Sequence, residues 1–193
     1  MRTVEIPVYK FNELDSAAKG AAIQNIRNLG WLWEDVVEFL IERFVEMAAE
    51  AGFNDLHPDN IFWDLYSQSQ GLYFTGFFDD VSRWVDHDIK DMVDDVSVSI
   101  EQRYGMTTCS AKHRTYPTIH DCYGVLNVRV DEIEDTIHKA YVELCQEMFE
   151  LLESQSMIVY SDEYIAEYLE EQDDEYLHSG EKYWHQDLGV KDE

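Results

Sequence analysis

A chain in which acids outnumber bases almost three to one can do one of two things: stay unfolded, or fold with nearly every carboxylate on the outside. Here 41 Asp and Glu face 14 Lys and Arg, a formal net charge of -27 on 193 residues. High net charge normally goes with disorder because too little apolar surface is left to offset chain entropy. This chain is 45% hydrophobic and 13% aromatic, with only three Pro, so a buried core can form beneath the charge. The length suits one domain, and no Pro/Gly/Ser-rich stretch divides the middle. A single domain is expected over residues 1–175, followed by a hairpin or loose tail over 176–193.

No run approaches the roughly 18 to 20 apolar residues of a membrane span, and the start lacks the basic-then-apolar pattern of a secretory signal. A soluble protein acting in a cytoplasm is expected. Three cysteines, Cys109, Cys122 and Cys145, argue against a disulfide framework and for reduced thiols.

Periodicity supplies the elements. Arg2–Tyr9 alternates as a short strand, and Asp15 or Ser16 caps a helix to about Asn28, with Gly30 as its terminator. Val36, Val37, Leu40, Ile41, Phe44, Val45 and Ala48 recur at helical spacing over about Glu34–Ala51. Two aromatic-rich runs, Ile61–Tyr66 and Leu72–Phe78, are joined by Ser67-Gln68-Ser69-Gln70-Gly71 and predict a hairpin. Val81, Trp84, Val85, Ile89 and Met92 mark a helix over Asp80–Val93, then Val96, Val98 and Ile100 alternate as a strand. Gly105–Cys122 reads as a long polar connection and Gly124–Val130 as another strand. Asp131 opens the longest helix, to Leu151, and Ser161 caps a further one to about Gln172. The sum is an α+β domain: an antiparallel sheet of about four strands with helices packed on one face.

The segments Tyr9-Lys10-Phe11-Asn12-Glu13-Leu14-Asp15-Ser16-Ala17-Ala18-Lys19 and Ser67-Gln68-Ser69-Gln70-Gly71-Leu72-Tyr73-Phe74-Thr75-Gly76 carry a likeness. With Ser161-Asp162-Glu163-Tyr164-Ile165-Ala166-Glu167 as a weaker third match, the chain resembles a family of uncharacterised acidic bacteriophage-encoded proteins. The resemblance implies a phage context and supplies no established enzyme activity, and it raises the expectation of an antagonist of a host defence or nucleic-acid enzyme.

Charge distribution is more telling than its total. Residues 131–175 hold sixteen acids and one base, Lys139. Glu143, Glu147 and Glu150 stand at i, i+4 and i+7 on the long helix, and Glu163, Glu167 and Glu170, beside Glu171, repeat the spacing on the next. Each row places carboxylates roughly 6 Å apart along the axis, a crude imitation of the spaced charges of a nucleic-acid strand. Asp91 and Asp94 belong to a further acidic group over Asp79–Asp95. The plainer explanation of any one row is a solvated face. For the whole imbalance, since ordinary surfaces mix both signs, a partner-binding surface is the better account.

These features predict an acidic inhibitor that mimics nucleic acid and occupies the basic DNA- or RNA-binding groove of a host protein, with Glu143, Glu147, Glu150, Glu163, Glu167, Glu170, Glu171, Asp91 and Asp94 as its contacts. Exposed tyrosines such as Tyr164, Tyr168 or Tyr176 are candidate apolar anchors. The alternative is an acidic phage regulatory protein that binds a basic partner without mimicry. Direct binding to nucleic acid or membrane is disfavoured by charge; a homodimer would extend the charged surface. Cys109, His113, His120 and Cys122 are the right residue types for tetrahedral zinc, but no Cys-x2-Cys knuckle is present, so no metal or cofactor is expected. His57, His87, His138, His178 and His185 are scattered singly. No nucleophile elbow, phosphate-cradling loop, His-Glu-x-x-His or EF-hand motif occurs, and Asp86, His87, Asp88 and Asp91 diverge around one helix, so no enzyme is expected.

Overall fold

The computed structural model describes residues 6–66, 71–78, 83–84, 96–103, 106–113 and 127–184. Among these, four α-helices and five strands form an α+β fold: α1 Ser16–Leu29, α2 Trp31–Ala51, β1 Ile61–Asp64, β2 Gly71–Phe74, β3 Gly76–Phe78, β4 Val96–Arg103, β5 Met106–His113, α3 Asn127–Val159 and α4 Asp162–Glu171. The strands are all antiparallel, but they make a β1-β2 pair and a separate β3-β4-β5 sheet. The run Leu72–Phe78, expected as one strand, is broken at Thr75, whose N–H donates to the Asn60 carbonyl (3.0 Å). Its two halves therefore serve different sheets.

Packing groups the chain into two compact units, Met1–Val37 with Ser154–Glu193, and Glu38–Glu153. The chain passes from one to the other inside α2 and inside α3, so no linker composition marks the division.

In the unit built from the two ends of the chain, local signals set the helices. The Asp15 carboxylate accepts from the Ala18 N–H (2.9 Å), which holds its pKa below the usual carboxylate value, and Gly30 closes α1 at φ 73. The Ser161 hydroxyl caps α4 through the Tyr164 N–H (3.2 Å), with Asp162 and Glu163 placed favourably at the positive end of the helix dipole. Ala18 and Ala22 of α1 meet Ile165 and Leu169 of α4 in a core with Phe11, Leu14 and Tyr176. Arg27 fixes the turn before α4, donating to the Tyr160 carbonyl (3.1 Å) and pairing with Asp162. The expected strand over Arg2–Tyr9 is reduced, within the described residues, to one bridge at Tyr9. Its partner is Tyr176 (N···O 2.9 and 2.8 Å). Tyr176 in turn bridges Lys182 across a turn containing Gly180, so the end of the chain up to Trp184 is packed and hairpin-like.

The Glu38–Glu153 unit is centred on Phe53. Gly52 (φ 103) ends α2, and Phe53, fully buried, meets the rings of Phe74, Phe78, Trp84 and Tyr141 at centroid distances of 5.3, 5.3, 4.9 and 6.3 Å. β1 and β2 also stack Phe62 on its register partner Tyr73 (5.0 Å). The α3 stripe Ile137, Tyr141, Leu144, Met148 and Leu152 is buried. The Tyr141 hydroxyl donates to the Phe74 carbonyl (3.1 Å) and accepts from the Phe74 N–H (3.3 Å), and burial pushes its pKa up. Tyr141→Phe would leave both Phe74 backbone groups buried without that partner, and is expected to lower stability by about 1–3 kcal/mol in urea unfolding followed by circular dichroism.

Two further expectations are overturned. Met106–His113, expected within a long loop, is β5, paired along its length with β4 from Val96↔His113 to Arg103↔Met106. Asn127–Val130, expected as the end of a strand, is the first turn of α3: its valines are helical because the helix begins before Asp131. The helix expected over Asp80–Val93 and the Ser67–Gln70 loop fall outside the described residues, apart from Arg83 and Trp84.

Candidate functional site

Each acidic row follows from the apolar stripe on the same helix. On α3 the core takes Tyr141, Leu144, Cys145 and Met148, which turns Glu143, Glu147 and Glu150 to solvent. Lys139 stands 3.8 Å from Glu143, and Gln146 donates to Glu150 (2.9 Å). On α4 the burial of Ile165 and Leu169 leaves Glu163, Glu167, Glu170 and Glu171 exposed. Glu147 and these four have no ion pair with another described residue. The α3 row lies in the Glu38–Glu153 unit and the α4 row in the other. Asp91 and Asp94 lie outside the described residues.

A third row stands beyond those expected. Glu38, Glu42, Glu46 and Glu50 recur every four residues on α2 and are exposed, two positions out of phase with the buried Leu40, Phe44 and Ala48. The signal is the spacing itself, which the apolar periodicity of the same stretch overshadows. Arg43 bonds Glu46 (2.9 Å) and approaches Glu50 (3.5 Å), which raises the guanidinium pKa. Glu38 and Glu42 make no such pair among the described residues. Both units are acidic by sequence, with 17 acids against 6 bases in the unit of the chain ends and 24 against 8 in the other, so the charge is not confined to one stretch of the chain.

Of the candidate zinc ligands, Cys109 and His113 both belong to β5. Four residues along a strand separate them by about 13 Å, too far for one ion with bonds of about 2 Å. Burial, with a smaller contribution from Glu134, pushes the Cys109 thiol up to about 11. His120 and Cys122 lie outside the described residues. Cys145 is likewise pushed up by burial to about 11.

The expected aromatic anchors divide. Tyr176 is buried (3% exposed) because it packs in the core with Phe11, Leu14, Ile165 and Leu169, so it is no surface anchor. Tyr164 is at the surface. Tyr168 is half-buried and lies edge-on to Trp31 (5.7 Å, 88°), on the wall of a cavity of about 330 Å³ within the unit of the chain ends. Leu29, Trp31 and Trp184, 68%, 40% and 57% exposed, also line it. Its charged members are Asp174 and Lys182, 2.6 Å apart, with the Lys182 ammonium 4.6 Å from the Trp184 ring centroid. Burial, then Asp174 and Asp35, raise the Tyr168 phenol pKa. The residues come from three separate segments, so no local motif announces this cavity. A second cavity of about 320 Å³, in the other unit between β2 and Tyr141, Cys145 and Phe149 of α3, has no charged side chain in its lining.

Among the described residues no helix is long and apolar enough to cross a membrane. No family model, no curated protein and no solved structure matches this chain.

Proposed function

We propose that this chain is a nucleic-acid-mimicking inhibitor whose exposed carboxylate rows occupy the basic DNA- or RNA-binding groove of a host protein. The observation that supports this most is the solvent-facing glutamate row without cationic partners among the described residues, Glu163, Glu167, Glu170 and Glu171 on α4, with further exposed rows on α3 and α2 that are in part paired with Lys139 and Arg43. Like charges at i, i+4 oppose helix formation by about 0.2–0.5 kcal/mol per pair, so apart from Glu163, which the helix dipole favours, helix stability gives no reason to keep them.

The mechanism is competitive occupation and requires no bond chemistry. Along a helix one carboxylate recurs about every 6 Å, whereas a DNA strand carries a phosphate about every 3.4 Å of axis. A row therefore stands in for roughly every second phosphate of one strand. Lysines and arginines of the groove pair with the carboxylates, and the summed field speeds encounter at low salt. Exposed ion pairs are worth only about 0–1 kcal/mol each, so affinity comes from many of them together with an apolar anchor.

The test is capture of a partner from bacterial lysate at low salt, followed by addition of duplex DNA or structured RNA. Release of the captured protein by nucleic acid, and release by salt, are expected. With that partner purified, Glu163→Gln, Glu167→Gln, Glu170→Gln and Glu171→Gln combined should flatten the plot of log affinity against log salt. The slope should fall by at most about 0.9 for each ion pair removed, since a protein face condenses fewer counterions than DNA. Capture that nucleic acid cannot reverse would favour the acidic regulatory reading without mimicry.

A further inference from the structure

We propose that the cavity between α1, α4 and the Tyr176–Trp184 turn is a receptor for one arginine side chain of the basic partner. The inference rests on the proposed function only in taking that partner to be basic. Four observations on this unit carry it. Trp31, Tyr168 and Trp184 furnish aromatic walls, and a cation over such faces is attracted by the ring quadrupole. Asp174 supplies a carboxylate in the same lining. The chain's own Lys182 ammonium already lies 2.6 Å from Asp174 and 4.6 Å from the Trp184 centroid, so this environment accepts a cation. Finally, Leu29, Trp31 and Trp184 leave large apolar surfaces in solvent around the opening, the pattern of an interface hot spot with its pocket.

Volume and charge narrow the occupant. At about 330 Å³ the cavity sits at the small end of ligand pockets, which run to about 1,000 Å³. It suits one side chain. The unit's excess of acids, 17 against 6 bases, disfavours an anion. A guanidinium is flat, stacks on aromatic faces and is less strongly hydrated than an ammonium, which favours arginine over lysine between rings. Tyr168 joins the cavity to the acidic face of α4, because Glu167 and Glu171 flank it on the same helix and point outward. An arginine seated in the cavity thus leaves its neighbours over that row.

The probe is a capped Gly-Arg-Gly tripeptide, with the neutral citrulline tripeptide as its isostere. Both are titrated into the full chain while the indole N–H signals are followed by NMR, with Trp31→Phe and Trp184→Phe identifying the two resonances. The arginine peptide is expected to move both signals and the citrulline peptide to bind at least about threefold more weakly. Trp184→Ala should weaken the arginine peptide about two- to thirtyfold. Lys182→Met frees Asp174 for the incoming cation and should tighten binding up to about fivefold; should that variant fail to fold, the tryptophan and citrulline arms decide alone. Equal binding of the citrulline peptide, unmoved indole signals, or weaker binding to folded Lys182→Met would each overturn the proposal. No nucleic-acid-binding partner enters this titration. Loss of the peptide site with intact displacement by DNA sinks only the cavity, and the reverse result sinks only mimicry.

Discussion

Phe53→Ala is expected to cost the Glu38–Glu153 unit about 3–5 kcal/mol, the range for truncating a buried Phe. Phe53 is 0% exposed, and its ring is the shared neighbour of Phe74, Phe78, Trp84 and Tyr141. Removing it therefore opens a void among rings drawn from both sheets, α3 and Trp84. Edge-to-face aromatic pairs contribute about 0.5–1.5 kcal/mol beyond their area, and Phe53 makes such pairs with Phe74 and Phe78 at interplanar angles of 71° and 72°. Against a total stability of about 5–15 kcal/mol for a folded domain, this is a large fraction. Urea unfolding followed by tryptophan fluorescence reads it. A loss under about 1 kcal/mol would mean that the ring cluster is not the centre of this unit.

Gly180→Ala is the second large effect, and its cause is backbone against backbone. Gly180 adopts φ +85, and a Cβ there would stand 2.1 Å from the Ala18 carbonyl oxygen, 3.0 Å from the Ala18 carbonyl carbon and 3.1 Å from the Ala22 nitrogen. Left-handed geometry costs an alanine about 1–2 kcal/mol, and forced overpacking typically adds about 1–3. The expected loss is thus about 3 kcal/mol in thermal unfolding, with faster amide exchange at the Tyr9–Tyr176 bridge. Gly180→Asn separates the two causes, because asparagine tolerates the left-handed region yet also carries a Cβ. If contact with α1 dominates, Asn fails as badly as Ala; a stable Asn variant would leave backbone strain as the whole effect.

Features whose cause is local are legible in the sequence. Asp15, Gly30 and Ser161 mark helix ends because caps act within one turn, and Leu40, Phe44 and Ala48 announce α2 because its buried stripe is continuous. β5 is not legible, because Met106–His113 is mostly Thr, Ser, Cys and Lys. Its strand character comes from pairing with β4, so tertiary context sets what propensity does not. The reverse holds at Asn127–Val130, where β-branched residues suggest a strand and the continuing helix overrides them. The acidic rows are legible as spacing, and their exposure follows from the buried stripes opposite. The cavity is not, since Leu29, Trp31, Tyr168, Asp174, Lys182 and Trp184 are brought together only by tertiary packing.

The pairing of the two chain ends also fixes an order of events during synthesis. Lys10 bonds Asp173 across a separation of 163 residues (2.8 Å), and the apolar face formed by Phe11, Leu14, Ala18 and Ala22 is covered by Ile165, Leu169 and Tyr176. On the ribosome α1 must wait, with that face exposed, until residues 165–176 have emerged, whereas residues 38–153 can collapse on one another before then. A nascent chain stalled before Ile165 would display the uncovered α1 stripe, an exposed apolar surface open to aggregation.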